Sequence, residues 1–571
     1  MLKDRLRAAG APAGLLLAAL LAFGITLRVG FLWDDHRMIE QNPRLELSAG
    51  NLAAAFKGDP FAQGLNYYRP LQTVSNMADF SAWGLRPFGY HLTNLFFHAA
   101  AAVLFFYLAL ALGLARPAAF WAAALLAAHP AAVEQLLVIA GRAELASSAC
   151  VAASLLLFLK RRPLASFVFF AAACGFKENG VVTPALAALC LWYLKREKKD
   201  YQALVPFFAF IPFYLAARHL ALGMGTLSHG LAPVLSGLLL KVPASVLAYL
   251  KEAAFPFDMH SHRLQPDLEL LRWAAPAALG AAGFYLYRKG SRLALFCAGW
   301  YLLNLAPKLP LLAANDLMLD HWVYLANAGL FLLAADKLAA DKEHKPLLAL
   351  AAAVLILASV INIGKRDTDL GLYEHAAQKS TSKPLLYNLA REYYLGGRYQ
   401  KSRLLLERVS ADAPDNPLYL DGLALARSKD GDLTGALAAS DRALALKPGD
   451  PELLFNRYGV WMDAGKKKEG AETLAALLRA HPAFPPALLA EARALLAAGR
   501  EREAEAAYRR ALAAGPANLE TLNDLGVLLA KRGDYAGAEE LFRRALRLAP
   551  GGSAARNLLH LEAVKAEGRP R

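Results

Sequence analysis

The sequence predicts an all-α chain in two parts, a polytopic membrane domain over residues 1–365 followed by a helical repeat solenoid over residues 383–567. Two observations support this division. Apolar runs of membrane length recur from residue 11 to about residue 363, and 56% of the 571 residues are hydrophobic, with a mean hydropathy of +0.29. Beyond residue 383 these runs stop, and charged helix-forming segments recur at a constant interval.

The membrane half contains about twelve apolar runs, and we expect about eleven of them to cross the bilayer. The exception is the run over residues 231–250, which contains Lys241 and Pro243 and is expected to dip into the membrane or to lie along its surface. With this run excluded, the lysine and arginine clusters fall on the cytoplasmic side, as the positive-inside rule requires. Residues 33–90 then form the first outer loop, and everything after residue 363 lies outside.

The net charge of +15 is concentrated in short loops between apolar runs, which argues against nucleic-acid binding and for contact with membrane lipids. The alanine- and leucine-rich composition favours a bacterial chain in the inner membrane, with the solenoid on the periplasmic side. The cysteines all lie within apolar runs and lack metal-ligand spacing, so we expect them to be core residues. They are Cys150, Cys174, Cys190 and Cys297.

The chosen orientation places the unusual polar residues of the membrane half on one face of the bilayer. Ionisable residues are costly at a membrane boundary and therefore raise a functional hypothesis. Asp34 and Asp35 stand where the first helix leaves the bilayer, and further polar residues on this face include Arg69, Glu134, Arg142, Glu144, Lys177, Glu178, Asp320 and His321. Such a set suits transfer chemistry on a lipid phosphate, because the anion needs arginine or lysine and an acceptor hydroxyl needs a carboxylate base.

From about residue 383 the chain repeats with a period of 34 residues. Glycine recurs at 397, 431, 465, 499 and 533, proline at 414, 448, 482, 516 and 550, and a small residue at Ser402, Ala436, Gly470, Ala504 and Ala538. This pattern is typical of tetratricopeptide repeats, in which glycine closes the turn, the small residue permits close helix contact and proline ends the second helix. We expect five repeats and a capping helix over Ser553–Glu567, suited to binding peptides or partners rather than to catalysis.

Several stretches resemble the transmembrane and tetratricopeptide repeat-containing O-mannosyltransferases, which are GT-C class transferases that use polyprenyl-phosphate sugars. The matching stretches are Phe31-Leu32-Trp33-Asp34-Asp35 with Asn42, Asn66-Tyr67-Tyr68-Arg69-Pro70-Leu71, Gly89-Tyr90-His91-Leu92-Thr93-Asn94 with His98, His129-Pro130 through Glu134 to Glu144, and Phe176-Lys177-Glu178-Asn179-Gly180. The order of parts also matches, with membrane helices first and repeats last. The chain departs from the family at Asp320-His321-Trp322-Val323-Tyr324-Leu325, where an Arg-Tyr-Leu-Tyr-like run is usual.

The resemblance implies roles for these residues. Asp34, with Asp35 beside it, corresponds to the acidic pair whose aspartate is the catalytic base, and a Ser or Thr hydroxyl needs such a base to act as a nucleophile. The candidates for contact with the donor phosphate or substrate are Arg69, Arg142, Lys177, Glu134, Glu144 and Glu178. The structural alternatives are a helix cap for the aspartates, interfacial cations for the basic residues and ion-pair partners for the glutamates. The residues leave open whether a divalent cation binds at Asp34 or Asp35.

The resulting hypothesis is an inverting membrane glycosyltransferase that moves a sugar, with mannose implied by the resemblance, from a polyprenyl-phosphate donor to a Ser or Thr hydroxyl of a protein on the exoplasmic face. The repeats present the acceptor in this hypothesis. Two alternatives stay open at this point. One is a non-enzymatic membrane scaffold whose repeats dock partner proteins, and the other is a GT-C transferase that acts on a lipid or glycan acceptor.

Overall fold

The computed structural model describes residues 2–42, 44–58, 67–223, 231–257, 259–266, 269–314, 317–341, 343–516, 518–548 and 552–567. The chain divides into two compact units, which are described separately below. The membrane unit comprises Met1–Ala82 with Pro87–Ser380, and the repeat unit comprises Trp83–Arg86 with Thr381–Arg571. Both units are helical, which confirms the predicted all-α class.

The membrane unit is built from helices joined mostly by short connections. In chain order its α-helices are α1 (Leu2–Phe23), α2 (Ala49–Ala55), α3 (Pro70–Trp83), α4 (Pro87–Ala111), α5 (Arg116–Ala128), α6 (Val133–Leu137), α7 (Arg142–Leu159), α8 (Pro163–Phe176), α9 (Thr183–Tyr193), α10 (Lys198–Gln202), α11 (Val205–Leu222), α12 (Leu231–Leu240), α13 (Val242–Ala254), α14 (Glu269–Lys289), α15 (Arg292–Leu305), α16 (Leu309–Ala314), α17 (Tyr324–Ala339), α18 (Lys345–Gly364) and α19 (Asp369–Ala377).

Shorter elements connect these helices near the polar residues singled out above. A π-helical turn covers His36–Glu40, and 3₁₀ turns cover Pro130–Ala132, Ile139–Gly141, Glu178–Val182, Ala306–Lys308 and Asp320–Val323. A two-residue ribbon pairs β1 (Arg263–Leu264) with β2 (Leu317–Met318) in antiparallel register. The polar stretches therefore lie in turns between helices, where backbone groups and side chains can face a shared cavity.

Six segments among the described residues are long and apolar enough to cross a membrane: Gly10–Arg28, Pro87–Ala111, Ile139–Leu159, Lys198–Leu222, Arg292–Ala314 and Lys345–Gly364. Two bent pairs raise the number to eight if each is one span. These are Arg116–Ala128 with Pro130–Leu137, bent by 48°, and Val234–Leu240 with Val242–Ala254, bent by 47°. The second bend falls at Lys241, inside the run over residues 231–250 that was not expected to cross the membrane. The count of about eleven crossings stays a prediction, because several other apolar runs form shorter helices such as α8.

Helix α7 lies in the interior of the membrane unit and packs between α4 and α8. Almost all of its side chains are buried, and two of its serines donate hydrogen bonds to α8: Ser147 Oγ to the Ala173 carbonyl at 3.0 Å and Ser154 Oγ to the Ser166 carbonyl at 2.8 Å. A helix without a polar face is stable only when it is enclosed on all sides. Its first turn carries Arg142 and Glu144, so the backbone of both residues is held in a rigid helix.

The repeat unit consists of five helix–turn–helix pairs and a final helix. The helices are α20 (Lys383–Leu395), α21 (Tyr399–Asp412), α22 (Pro417–Lys429), α23 (Leu433–Leu446), α24 (Pro451–Asp463), α25 (Lys467–Ala480), α26 (Pro485–Ala497), α27 (Glu501–Ala514), α28 (Leu519–Lys531), α29 (Tyr535–Leu548) and α30 (Gly552–Glu567). The turn glycines at 397, 431, 465, 499 and 533 have φ between +70° and +92°, which a residue with a Cβ rarely adopts.

The small residues predicted at helix contacts are buried where those helices meet. Gly526, which is not one of those predicted positions, has a similar role: a Cβ there would lie 2.6 Å from the Phe542 ring at the contact between α28 and α29. Ala504 and Ala538 are fully buried in the same apolar cluster, which Leu561 of α30 helps to close. The structure confirms the tetratricopeptide-type repeats. Their helix pairs bury apolar clusters, and α30 contributes Leu561 to the cluster around α28 and α29.

Candidate functional site

The loop that follows the first membrane helix turns at Trp33. Its backbone has φ of +52°, a left-handed conformation that costs about 1–3 kcal/mol for a bulky residue and must be held by its surroundings. The Trp33 N–H donates a hydrogen bond to Asp369 Oδ1 at 2.7 Å, and the Trp33 and His262 rings lie 4.9 Å apart between centroids. This turn sends the next two carboxylates, Asp34 and Asp35, into different surroundings.

Asp34 lines a cavity of about 240 Å³ in the membrane unit. The cavity is bounded by the Trp33 loop, the segment before α3, the α6–α7 region, the turn after α8 and the segments near residues 307 and 321. Among the described residues, its acidic, basic and histidine side chains are Asp34, Glu134, Glu144, Glu178, Arg69, Lys177, Lys308 and His321. The structure thus brings together six of the predicted site residues.

Asp34 is the cavity carboxylate without an ionic partner. Within the part of the chain that the structure describes, its side chain forms no hydrogen bond or ion pair. Burial raises the pKa of Asp34 above its ordinary value, and the positive charges of Arg37 and Arg69 offset only part of this effect. Asp34 therefore presents a carboxylate of increased basicity to the cavity.

Asp35 is fully buried and does not belong to the cavity lining. Its Oδ2 accepts a hydrogen bond from the Leu32 N–H at 3.1 Å, and its Oδ1 accepts one from the Ala140 N–H at 3.0 Å. Burial raises the pKa of Asp35 to about 7, although these bonds act in the opposite direction. The structure places Asp35 apart from the cavity lining, where both of its oxygens connect the first outer loop to the turn before α7.

Arg69 and Glu178 form a two-bond ion pair at the cavity wall. Nε and one terminal nitrogen of Arg69 donate to the two oxygens of Glu178 at 3.1 and 2.9 Å, and the guanidinium lies 4.4 Å from the Tyr67 ring centroid. Burial alone would raise the pKa of Glu178, but the charge and hydrogen bonds of Arg69 outweigh it and hold this pKa below its usual range. Both side chains therefore keep their charges at the cavity.

Glu144 is shared by two lysines. Lys177 Nζ lies 2.7 Å from Glu144 Oε2, and Lys308 Nζ lies 3.5 Å from Glu144 Oε1. Asn179 Nδ2 donates to Glu144 Oε2 at 3.2 Å, while Lys308 also donates to the Trp322 carbonyl at 2.5 Å. One carboxylate between two ammonium groups leaves this lysine–glutamate–lysine triad with a net positive charge.

Glu134 faces the same cavity and contacts His321. Glu134 Oε1 lies 3.0 Å from His321 Nδ1, and Gln135 Nε2 donates to the His321 carbonyl at 3.3 Å. These bonds connect α6 with the 3₁₀ turn that departs from the family pattern. The cavity therefore has a carboxylate–histidine pair in addition to the free carboxylate and the cationic triad.

Arg142, a predicted phosphate-binding residue, lies outside the cavity lining. Its side chain is completely buried and its guanidinium is surrounded by acceptors. The partners are Asn94 Oδ1 at 2.9 Å, Ser75 Oγ at 3.3 Å, Asn76 Oδ1 at 2.8 Å, the Tyr90 carbonyl at 3.0 Å and Asp79 Oδ2 at 2.5 Å. With its donors engaged, Arg142 joins α7 to α3 and α4 instead of binding a ligand.

Glycines permit the close packing behind the cavity. A Cβ on Gly141 would collide with the backbone of Gln135, and a Cβ on Gly180 would collide with the backbone of Ala173 and Cys174. Because glycine lacks a Cβ, α6 can pack against the start of α7 at Gly141, and the turn after α8 can fold back on α8 at Gly180. Glu134, Glu144 and Lys177 reach one cavity because their segments pack this closely.

A divalent cation does not fit the donor set of this site. The described residues contain no group of three or more His, Cys, Asp or Glu side chains that could hold a metal ion. Glu134, Glu144 and Glu178 each contact a histidine, a lysine or an arginine.

Sequence reasoning did not single out Lys308, although a signal for it was present. Lys308 interrupts the apolar run over residues 293–312, and a lysine inside a membrane-length segment is a functional-site signal by itself. Its relation to Glu144 was not readable, because 164 positions separate the two residues. His321 was recorded among the polar residues of one face but was not assigned a role.

The repeat unit matches a known family model. The tetratricopeptide repeat model matches residues 387–451, 462–518 and 489–553. Among solved structures, a thermophilic tetratricopeptide repeat protein of Thermus thermophilus is 22% identical, covers 33% of this chain and 98% of that chain, and has a TM-score of 0.26.

The curated relatives are longer proteins. Protein O-mannosyl-transferase Tmtc1 of Drosophila melanogaster is 33% identical over 208 residues, which is 33% of this chain and 24% of that protein. Protein O-mannosyl-transferase tmtc2 of Xenopus laevis is 34% identical over 188 residues, 30% of this chain and 22% of that protein. The matches span a quarter or less of the length of these relatives.

The fold and the cavity define a class of protein: a polytopic, helical membrane protein that combines a tetratricopeptide repeat array with a charged cavity between its apolar helices. Within this class the chain is similar to the transmembrane and tetratricopeptide repeat-containing O-mannosyl-transferases. The resemblance found in the sequence motifs is therefore confirmed.

We expect Arg142→Ala to lower the free energy of unfolding by about 3–5 kcal/mol, because it leaves the buried carboxylate of Asp79 without its partner. Thermal unfolding of the purified protein measures the effect. The double variant Arg142→Ala/Asp79→Ala should recover part of the loss, since no unpaired buried charge remains. Wild-type stability of Arg142→Ala would contradict the structural role.

Proposed function

We propose that the protein is an integral membrane glycosyltransferase that moves a sugar from a polyprenyl-phosphate donor to a Ser or Thr hydroxyl of a protein. The observation that carries the proposal is a single cavity lined both by the free carboxylate of Asp34 and by the cationic triad of Lys177, Glu144 and Lys308. The printed names of the relatives support a protein acceptor and mannose as the sugar.

Asp34 is the proposed general base. A Ser or Thr hydroxyl is a poor nucleophile at neutral pH and needs a carboxylate within hydrogen-bond reach. The raised pKa of Asp34, which burial causes, brings its basicity closer to neutral pH, where proton transfer is most effective. Because no side chain pairs with it in the described chain, its oxygens are available to the acceptor.

The cationic triad is the proposed site for the donor phosphate. The phosphodiester of a polyprenyl-phosphate sugar carries a negative charge, which the net positive charge of the triad complements. Lys177 and Lys308 are held in place by Glu144, so they can bind the phosphate without first being ordered. Arg69, already oriented by Glu178, adds a further positive group to the same wall.

In the proposed reaction the acceptor oxygen attacks the anomeric carbon while its proton passes to Asp34. The new bond between this oxygen and carbon forms as the bond from the carbon to the phosphate oxygen breaks, and the electron pair of the broken bond stays on the phosphate. The growing phosphate charge is stabilised by Lys177 and Lys308. A single displacement of this kind inverts the anomeric configuration.

Glu134 and His321 are proposed to orient the sugar. Glu134 Oε2 is buried and has no hydrogen-bond partner among the described residues, while Oε1 contacts His321. A sugar hydroxyl that donates to Oε2 would satisfy this oxygen, which is costly to leave unpaired. The pair thus provides polar contacts on the donor sugar rather than on its phosphate.

We place the cavity and the repeats on the exoplasmic side of a bacterial inner membrane. The short loops rich in lysine and arginine support this orientation, because such loops stay on the cytoplasmic side. Tetratricopeptide arrays offer extended surfaces for peptides, which supports a protein acceptor that the repeats present.

Asp34→Asn should reduce the transfer rate by about 10²- to 10⁴-fold, because an amide cannot accept the hydroxyl proton. Transfer of a labelled sugar from its polyprenyl phosphate to a peptide measures the rate. The thermal unfolding temperature of Asp34→Asn should change little, since Asp34 has no ionic partner to lose, whereas Asp35→Asn should lower it.

The transfer rate of the wild type should fall as the pH drops through the raised pKa of Asp34, because the protonated carboxyl cannot act as the base. Unchanged transfer by Asp34→Asn would refute the proposed base.

Lys308→Met should raise the KM for the donor roughly 10- to 100-fold, because a hydrogen bond to a charged group contributes about 1.5–3 kcal/mol. The measurement is the dependence of the initial rate on donor concentration. Lys365→Met provides the control, since Lys365 is exposed and lies outside the cavity lining. A donor KM that stays at the wild-type value in Lys308→Met would contradict the assignment of the phosphate site.

Deleting residues 383–571 should lower transfer to a protein acceptor by roughly 10²-fold through the loss of effective concentration, while transfer to a small hydroxyl acceptor is retained. Both rates are measured with the same labelled donor, and thermal unfolding of the truncated protein verifies that the membrane unit is folded. Equal loss with both acceptors would argue against acceptor presentation by the repeats. Preference of the full chain for a lipid acceptor would favour the alternative of a lipid substrate.

A further inference from the structure

Helix α19 begins at Asp369, and both carboxylate oxygens of this residue face the loop that carries Asp34. Oδ1 accepts a hydrogen bond from the Trp33 N–H at 2.7 Å, and Oδ2 lies 2.9 Å from Nε2 of His36. The Asp369 side chain is 15% exposed, so these contacts are largely shielded from water. One side chain therefore holds the loop at two points on either side of Asp34.

Helix capping does not explain this arrangement. The cap of α19 is the preceding residue, Thr368, whose Oγ1 accepts a hydrogen bond from the Gly371 N–H at 3.1 Å. Asp369 is the first residue inside the helix, and its oxygens are directed at the loop instead of at the free N–H groups of α19. A residue needed only for the helix terminus would not be placed this way.

The second contact is a charged one. The hydrogen bonds from His36 to Asp369 and to Glu40 raise the pKa of His36 to about 10, so its ring carries both protons at neutral pH. Nε2 then donates to Asp369, and Nδ1 lies 2.5 Å from Glu40 Oε2. The Glu40 side chain is 40% exposed and the Asp369 side chain is 15% exposed, so Asp369 is the partner that is better shielded from water.

The segment that begins with α19 also holds the loop opposite Trp33. His262, whose ring packs at a tilt against that of Trp33, has φ of +64°. Its carbonyl accepts a hydrogen bond from Ser380 Oγ at 2.6 Å, and its ring lies 6.5 Å from that of Tyr373. The residues in left-handed conformations at 33 and 262 are thus both supported by residues 369–380.

We propose that Asp369 is a positioning residue. It holds the turn from Trp33 to His36, in which the Trp33 backbone is left-handed, and thereby directs the carboxylate of Asp34 into the cavity. Asp369 is absent from the described cavity lining, so it acts through its neighbours. The kinetic consequence rests on the proposed function, in which Asp34 is the base. The geometric part concerns only how the turn is held.

The test compares Asp369→Ala and Asp369→Asn in the full-length protein. Asp369→Ala removes both contacts, so kcat should fall about 10- to 100-fold with little change in donor KM, because the phosphate site is intact. Asp369→Asn keeps an acceptor for the Trp33 N–H, so its kcat should fall less than that of Asp369→Ala. Asp367→Asn and Glu40→Gln are the matched controls, with kcat within about two-fold of the wild type, since Asp367 is exposed and Glu40 leaves the Trp33 contact in place.

The pH profile separates positioning from a loss of folded protein. Asp34, which is faced by Arg37, Arg69, Glu134 and His321, owes its raised pKa to burial. When the turn is released and Asp34 becomes more hydrated, its pKa falls, so the acid limb of kcat in Asp369→Ala should move to lower pH. If Asp369→Ala only reduces the fraction of folded protein, kcat falls by the same factor at every pH and the acid limb stays at its wild-type pH.

Hydrogen–deuterium exchange of the Trp33 amide tests the geometry without reference to transfer. Exchange should rise at least about tenfold in Asp369→Ala and change less in Asp369→Asn. Unchanged exchange in Asp369→Ala overturns the proposal, and so does increased exchange with wild-type kcat. If the wild-type protein transfers no sugar, the proposed function fails, and the exchange at Trp33 alone decides whether Asp369 holds the turn.

Discussion

Pairing of buried charges is the constraint on which the membrane unit depends. A charge removed from water is costly unless it is paired, and removal of one partner of a buried pair typically costs about 3–5 kcal/mol. The pairs around the cavity join segments that are far apart in the chain, so the segments cannot separate without leaving a charge unpaired. The ion pairs are Arg69–Glu178, Lys177–Glu144 and Lys308–Glu144, separated by 109, 33 and 164 positions.

The same constraint distinguishes reactive from structural side chains. Asp34 and Asp35 are neighbours in sequence, yet both oxygens of Asp35 accept backbone hydrogen bonds and those of Asp34 remain free in the described chain. Arg142 and Lys177 are both buried cations, but the donors of Arg142 are engaged by a shell of acceptors. Lys177, in contrast, lies at the surface of the cavity. Unused hydrogen-bonding capacity next to a cavity, rather than residue type, is what suits a side chain to bind a substrate.

Much of the fold could be predicted because it depends on local periodicity. The period of 34 residues identified the repeats, since each helix pair needs a left-handed glycine in the turn and a small residue at its contact, as Gly533 and Ala538 illustrate. The apolar runs indicated a membrane unit but not the bounds of its helices, because the break at Lys241 and short helices such as α8 interrupt simple spans. Six residues of the site were also found, since charges at the ends of apolar runs are rare enough to be noticed.

The sequence by itself determined the two-part helical architecture, the repeats and the set of polar residues from which the cavity is built. Only the tertiary structure decided which of these residues share the cavity: it added Lys308, left Arg142 and Asp35 outside the lining and joined Asp369 to the Trp33 turn. The physical reason is that helix periodicity and membrane length are properties of neighbouring residues. The partner of a buried charge is set by packing between segments separated by as many as 336 positions, and that partner determines the role of the charge.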